Sequence, residues 1–339
     1  MTIADPSQPL ATGPTGRTPV PGATAARELA AASPWFGVLA VAGAAVWLGV
    51  VGFRSLVAAH DLRGALLNEW SATVGPALLL AVVALFLAER LWPAVRRPAL
   101  ARAHVVDAGY LALFAVAVVP LLVIVQTGFA VEIERHAQFL VLNRLPLVPQ
   151  VAVVLVILVG VDAMNWVAHV ANHRSPSLWR LHALHHSQED MSVLTTFRTH
   201  PLVHATYLLA LLPALVLGAS GHLPMAALIA YGCLVTLPHA NLSWTLGPVG
   251  RLVVSPAYHR LHHASELDPQ GTVNFGFVLV CWDQLIGCAA MPGGRPPVRT
   301  GLAGRPVPVE QFGGGGPFGV VVAQLVQPFR RYTALEEGR

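Results

Sequence analysis

Lysine is absent from this chain, and charge of either sign is scarce. Only 11% of the 339 residues are charged, and 17 are acidic. Soluble domains carry about 25% charged residues. With 55% hydrophobic residues and a mean hydropathy of +0.60, this scarcity excludes an ordinary soluble protein and predicts an integral membrane one. Cysteine is nearly absent too. Cys233, Cys281 and Cys288 form neither a disulfide framework nor a C-x-x-C metal motif. The net charge of +4 comes from Arg alone, with no basic stripe interleaved with aromatics, so no nucleic-acid partner is expected. The Arg residues are read instead as setting orientation in a bilayer. No cleavable signal peptide is expected, because the first apolar run starts near Pro34, too far in and too long.

Apolar runs and their Arg-bearing loops give the domain plan. Residues 1–33, rich in Pro, Ala, Thr and Gly, read as a disordered tail. A bilayer span needs about 20 apolar residues. Pro34–Phe53, Ala72–Ala88, Val105–Gln126 (with Pro120 as a kink) and Leu147–Val170 qualify. Leu202–Gly218 and Pro224–Leu237 are shorter and read as two further spans or a hairpin that dips in. Residues 34–104 thus hold two spans and a basic loop, 105–290 the remaining spans and the segments that join them, and 291–339 a Gly/Pro-rich segment with a tail at the membrane surface. Arg90, Arg96, Arg97 and Arg102 place the loop of residues 89–104 in the cytoplasm. The N-terminus then lies inside, as do the segments 171–201 and 239–310, which carry eight more Arg residues between them.

What the chain does have is histidine in clusters. His169 and His173 form one; His182, His185 and His186 a second; His259, His262 and His263 a third. The last two share the pattern H-x-x-H-H. With 15 His in the chain, chance supplies roughly 0.03 such matches, so two are not accidental. Spacings of three and four put side chains on one helix face. Neutral imidazole suits iron, zinc and copper, and eight such ligands suffice for two ions. Glu189, Asp190, Glu266 and Asp268 are the few acids nearby, and none stands three residues before a clustered His. The site is therefore expected to be histidine-rich, unlike the Glu-x-x-His dimetal sites of soluble bundles.

Other polar residues are weighed beside the clusters. His239, at the cytoplasmic end of the sixth apolar run, is a candidate ninth ligand, with Asn241 beside it. Asp162 sits seven residues before His169 inside an apolar run, where an acid is a functional hypothesis by default. It is expected to accept a ring N–H and fix a ligand's tautomer. His200 and His204 are weaker candidates, since Pro201 suggests that His200 starts the next helix. His60, His104, His136 and His222 read as ordinary histidines.

These motifs resemble the fatty acid hydroxylase/sterol desaturase superfamily over residues 100–290. The resemblance rests on Asp162, His169, His173, His182, His185, His186, Ser187, Glu189 and Asp190, closing with Thr196-Phe-Arg198. A second block runs from Leu246-Gly-Pro-Val-Gly through Ser255-Pro-Ala-Tyr-His-Arg-Leu-His-His263 to Asn274-Phe-Gly276 and Trp282-Asp283. The spacing is most similar to the alkylglycerol monooxygenase-like branch. The resemblance implies an all-α polytopic membrane bundle with a diiron centre at its cytosolic face. It implies iron ligands at the eight clustered histidines, with His239 at the family's extra histidine. It also implies oxidation of a lipid C–H bond by dioxygen and two electrons. Val170, Ala163, Met164, Asn165, Met191 and Ser192 depart from the family's usual residues; none removes a ligand, and they bear on substrate identity.

No haem- or flavin-binding segment is apparent, so a separate electron-donor protein is expected, with a bilayer lipid as substrate. Two other classes compete with this lipid hydroxylase or desaturase. A zinc-dependent membrane hydrolase would use a base such as that of H-E-x-x-H, which is absent. A metal transporter or metal-binding protein would line mid-membrane spans with its ligands, whereas these gather at one face.

Overall fold

The computed structural model describes residues 36–59, 75–98, 101–137, 150–211, 213, 230–265, 273–293, 299–302 and 316–329. Among them the chain is mostly helical and has no strand, only isolated bridges such as Pro93 to Leu242. Long helices are α1 (Phe36–Ala58), α2 (Gly75–Leu91), α3 (Arg102–His136) and α4 (Gln150–Arg174). Apolar sequence with few internal breakers favours helices, which satisfy every backbone group within the segment. Helices Arg102–His136 and Val151–Arg174 are long and apolar enough to cross a membrane. Val116, Leu121, Val151, Leu155 and Val156 point outward from them, an apolar surface that a water-exposed protein rarely displays.

Helix α3 passes Pro120 without ending. It widens into a π turn over Phe114–Val118 just before the proline. Proline offers no N–H and its ring crowds the carbonyl four residues back, here that of Val116, and a wider turn accommodates both.

The histidine-bearing helices are short and start alike. Helix α5 (Pro176–His186) follows Ser175, and α6 (Pro256–His262) follows Ser255. Each has Pro in its first turn, where the missing N–H costs nothing. Ser255 also caps α6, its Oγ accepting from the Tyr258 N–H at 3.1 Å. Between them run a 3-10 helix at Pro201–Leu211, packed on α4, and the turn Leu237–His239. His200 accepts from the Leu202 N–H and so starts the 3-10 helix, as Pro201 suggested. Helices α7 (Cys281–Leu285) and α8 (Gly316–Val326) complete the described chain. Residues 214–229 lie outside it, and with them His222, the end of the fifth apolar run and the start of the sixth; His60 and the tail at 1–33 do too.

One apolar core supports the histidine helices from outside. It joins Val82 of α2, Val106 and Tyr110 of α3, Leu184 of α5, Val193, Phe197, Ala240, Leu242, and Val320 and Val321 of α8. Two buried polar bonds cross it. Arg198 donates to Asp107 at 2.9 Å, and Tyr110 donates to Gln324 at 3.1 Å. Gln324 and its neighbours tie α8 to α3. The segment expected as a tail at a membrane surface is therefore docked on the core through one face, while Phe318, Val322 and Val326 face outward.

Helices α1 and α3 meet backbone to backbone. A methyl group placed on Gly52 would collide with the Ile124 carbonyl, and one on Gly128 with the Leu48 carbonyl. Close approach of this kind is how small residues hold helices together where burial of apolar surface is weak. Gly52→Ala and Gly128→Ala are each expected to destabilise the detergent-solubilised protein by at least about 2 kcal/mol, the range of overpacking. Gly43→Ala, with open space around it, should melt at or slightly above the wild-type temperature. Equal melting temperatures for all three variants would contradict this contact.

Candidate metal centre

Nine buried histidines converge in two groups. His169, His173, His182, His186 and His262 form one; His185, His239, His259 and His263 form the other. Within each group the ligand nitrogens lie within 4.8 Å of one another. All eight clustered histidines are thus brought together, and His239 joins them. His200, His204, His104 and His136 stand outside. His204 bonds Thr199, His104 accepts from the Ala101 N–H, and His136 faces Glu132.

The H-x-x-H-H pattern explains the division. On a helix, residues i and i+4 are about 40° apart around the axis, while i+3 and i+4 are about 100° apart. His182 and His186 therefore stay together, and His185 turns away. His259 and His263 likewise stay together, and His262 turns away. Each box gives a pair to one group and a single ring to the other, so α5 and α6 interlock. His186 and His263, from opposite groups, stack with centroids 4.3 Å apart and planes at 16°.

The nitrogens face one another at short range. Nε2 of His239 lies 3.0 Å from Nε2 of both His185 and His259, and Nε2 of His263 lies 3.2 Å from that of His259. In the other group, Nε2 of His262 lies 3.1 Å from Nε2 of His169. The Nδ1 atoms of these last two rings meet carbonyl oxygens: His169 that of Phe275 at 2.8 Å, His262 that of Val273 at 2.7 Å. A carbonyl can only accept, so both Nδ1 atoms carry the proton and both Nε2 atoms present lone pairs. Two lone pairs 3.1 Å apart repel unless a cation lies between them. Nitrogens bound at right angles to one ion through bonds of about 2.1 Å would be about 3.0 Å apart. His182 adds two ring nitrogens, and His186 its Nε2, that are buried without a hydrogen-bond partner. The donor set fits transition-metal ions.

Burial keeps the rings neutral. It pulls His185 down to about 3 and His182, His186, His239, His259, His262 and His263 well below the ordinary value; neighbouring imidazoles push most of them further. Only the neutral ring has a lone pair to give.

Asp162 and Asn241 do not play the expected part. Asp162 accepts from the Tyr231 hydroxyl, the Val278 and Leu279 N–H groups, and Trp282 Nε1, at 2.8–3.1 Å. It anchors the segment before α7 and receives no imidazole N–H. Two helical turns, about 10.5 Å, separate it from His169, and backbone donors reach it first. Asn241 exchanges bonds with the Val95 backbone and accepts from Arg260 at 2.8 Å, likewise touching no histidine ring.

Sequence reasoning missed three supports. Glu89, at the end of α2, accepts from the Val193 and Asn241 N–H groups at 2.6 and 2.8 Å. Asp107 holds Arg198 and Gln188 on either side of the chain that follows α5. An acid inside an apolar run was the available signal for Asp107. Asp283, fully buried, accepts from Trp166, Tyr258, Phe275, Gly276 and Cys288. Burial, with the nearby Asp283 charge, pushes the Cys288 thiol up to about 12 and the Tyr258 phenol up as well, so both remain donors.

Comparison with known proteins bears on the same region. Residues 154–288 match the model of the fatty acid hydroxylase family. An ornithine lipid hydroxylase, OlsE, of Rhizobium tropici is 33% identical over 172 residues, covering 49% of this chain and 47% of that protein. Alkylglycerol monooxygenase of Caenorhabditis elegans is 27% identical over 131 residues, covering 37% of this chain and 24% of the relative. The human alkylglycerol monooxygenase is 27% identical over 135 residues, covering 38% and 28%. The chain thus spans about half of the first relative's length and about a quarter of the others'. No solved structure matches it.

Stability should fall on acidification. The depressed folded-state values mean that the unfolded chain binds more protons than the folded one below about pH 6.5, the unperturbed histidine value. The histidine contribution is present above that pH and is lost as pH falls toward the folded-state values, about 3 for His185. Melting temperatures in detergent should drop between pH 7.5 and pH 5. A rise over that interval would show that the rings are not held neutral.

Proposed function

We propose that this chain, which carries a fatty acid hydroxylase domain at residues 154–288, is a membrane-bound diiron oxygenase that hydroxylates or desaturates a C–H bond of a lipid. The observation that carries this reading is the pair of carboxylate-free groups, nine buried imidazoles with converging Nε2 atoms. Two iron ions, one in each group, would supply the dioxygen and redox chemistry that an unactivated C–H bond demands and no side chain offers. The relatives named for an ornithine lipid and for alkylglycerol support a lipid substrate.

This chain's own residues account for the setting. His169 and His262 keep their protons on Nδ1, against backbone carbonyls, and so aim their lone pairs inward. Burial keeps the site's imidazoles free of protons and water that would compete for those lone pairs. Helix α4 carries His169 and His173 in its last turns, so an apolar chain lying along this helix would reach the site from the side. The multi-pass topology, with the histidines on the cytoplasmic side, is supported by the Arg residues of the loop after α2 and of residues 171–201. Electrons would then come from a separate cytoplasmic donor protein.

Protein purified from iron-replete cells is expected to hold two iron ions per chain by elemental analysis. His185→Ala and His262→Ala should each retain about one ion and lose the oxidised lipid product seen by mass spectrometry of host membranes. His136→Ala, on an exposed ring outside both groups, should keep both ions and the product. Folded wild-type protein with no iron, or three variants indistinguishable from it, would rule the assignment out.

A further inference from the structure

We infer that Asp283 and Asn274 are positioning residues that hold the 273–276 loop as a clip on His169 and His262, and so set metal affinity in the five-histidine group but not in the four-histidine group. The inference rests on the metal-site reading above. Its first support is geometric. Both imidazoles whose Nδ1 atoms meet a carbonyl of this loop, Val273 and Phe275, belong to the five-histidine group. Among the described residues, no hydrogen bond joins a ring of the other group to the loop. These carbonyls alone set the tautomer of two ligands that come from different helices, α4 and α6.

The loop cannot hold this shape unaided. Asn274 sits at φ 61°, a left-handed conformation that costs a side-chain-bearing residue energy. Its amide compensates with three bonds: Nδ2 donates to the Tyr258 and Ala290 carbonyls at 2.8 Å, and Oδ1 accepts from the Ala290 N–H at 2.6 Å. The next two N–H groups, of Phe275 and Gly276, both point at the Asp283 carboxylate, one to each oxygen, at 3.0 and 2.8 Å. A methyl group on Gly276 would meet Asp283 Oδ2 and the Leu279 carbonyl, so the approach needs glycine. Trp166, one turn before His169 on α4, donates to the same carboxylate at 2.9 Å, and Tyr258, next to His259 on α6, donates at 3.0 Å. One buried acid thus ties together α4, α6 and the loop that aims a ligand from each.

Both Asp283 oxygens receive backbone N–H groups, so an asparagine there must turn its NH2 against one of them in either orientation. Asp283→Asn should loosen the loop without removing a ligand. The test uses purified, iron-loaded protein challenged with increasing chelator, counting iron per chain and following its spectroscopic signature. His262→Ala and His263→Ala identify the signals of the four- and five-histidine groups, respectively. Asp283→Asn is expected to release the five-histidine ion at about 10–100-fold lower chelator, the usual effect of losing an outer partner of a ligand, with the other ion held as in wild type. Asn274→Gly, which keeps the backbone conformation and needs no help from Asp283, should shift the same ion in the same direction by a smaller factor. Adding Asp283→Asn to His262→Ala should further change the retained four-histidine ion little. Loss of both ions in parallel, or of neither, would overturn the inference while leaving the two-ion reading in place. Wild-type protein that takes up no iron would remove both. Should Asp283→Asn fail to fold, Asn274→Gly decides by the same comparison.

Discussion

Two imidazole nitrogens with lone pairs aimed at each other across 3.1 Å set the terms for everything around them. The arrangement is unfavourable in an empty protein and favourable around a cation, so the fold must hold the rings against their own repulsion. Most of the buried polar chemistry serves that end. Carbonyls of the 273–276 loop fix two tautomers, Asp283 and Asn274 fix the loop, and Asp162 fixes the turn between the loop and α7. On the opposite side, Glu89 and Asp107 hold the chain that leaves α5 and the stretch that follows His239. Four buried carboxylates in so apolar a chain are expensive, and each accepts at least two hydrogen bonds rather than standing alone.

The duplicated H-x-x-H-H pattern is a device for interlocking. A helix that gave all three rings to one ion would leave the second ion to other segments. By splitting each box between the groups, the chain makes the position of α5 and that of α6 depend on each other. The stacked pair His186 and His263 is the wall between the two groups, one ring from each box. Movement of either helix therefore changes both groups at once.

The histidines were legible in the sequence because clustering is a one-dimensional signal that chance does not produce. So, apart from their ends, were α1 and α2, expected over Pro34–Phe53 and Ala72–Ala88 and found at Phe36–Ala58 and Gly75–Leu91, and the two helices long enough to cross a membrane, because apolar length is also local. Helix α3 ran past its expected end at Gln126 to His136, carried by Thr127, Gly128 and Glu132 despite their polarity or flexibility. The role of Asp162 was not legible. Its partners are the Tyr231 hydroxyl, the Trp282 indole and two backbone N–H groups, 69 to 120 residues away, which no spacing encodes, whereas an acid in a histidine-bearing span suggested an imidazole donor. Asp283 was visible as part of a motif, but its task depends on where Phe275 and Gly276 fold. The assignment of rings to groups required only helical geometry, yet it became evident only once two helices were seen face to face.

The contact between Gly52 and Gly128 has a bearing on traffic. Where two helices touch through their backbones, no gap remains for an acyl chain to slip between them, and neither helix can rotate without lifting off the other. Helices α1 and α3 therefore make a closed seam, a fixed wall on one flank of the molecule. For the bilayer lipid proposed as substrate, that seam would offer no way in at the level of Gly52 and Gly128, and a doorway would have to lie on another flank.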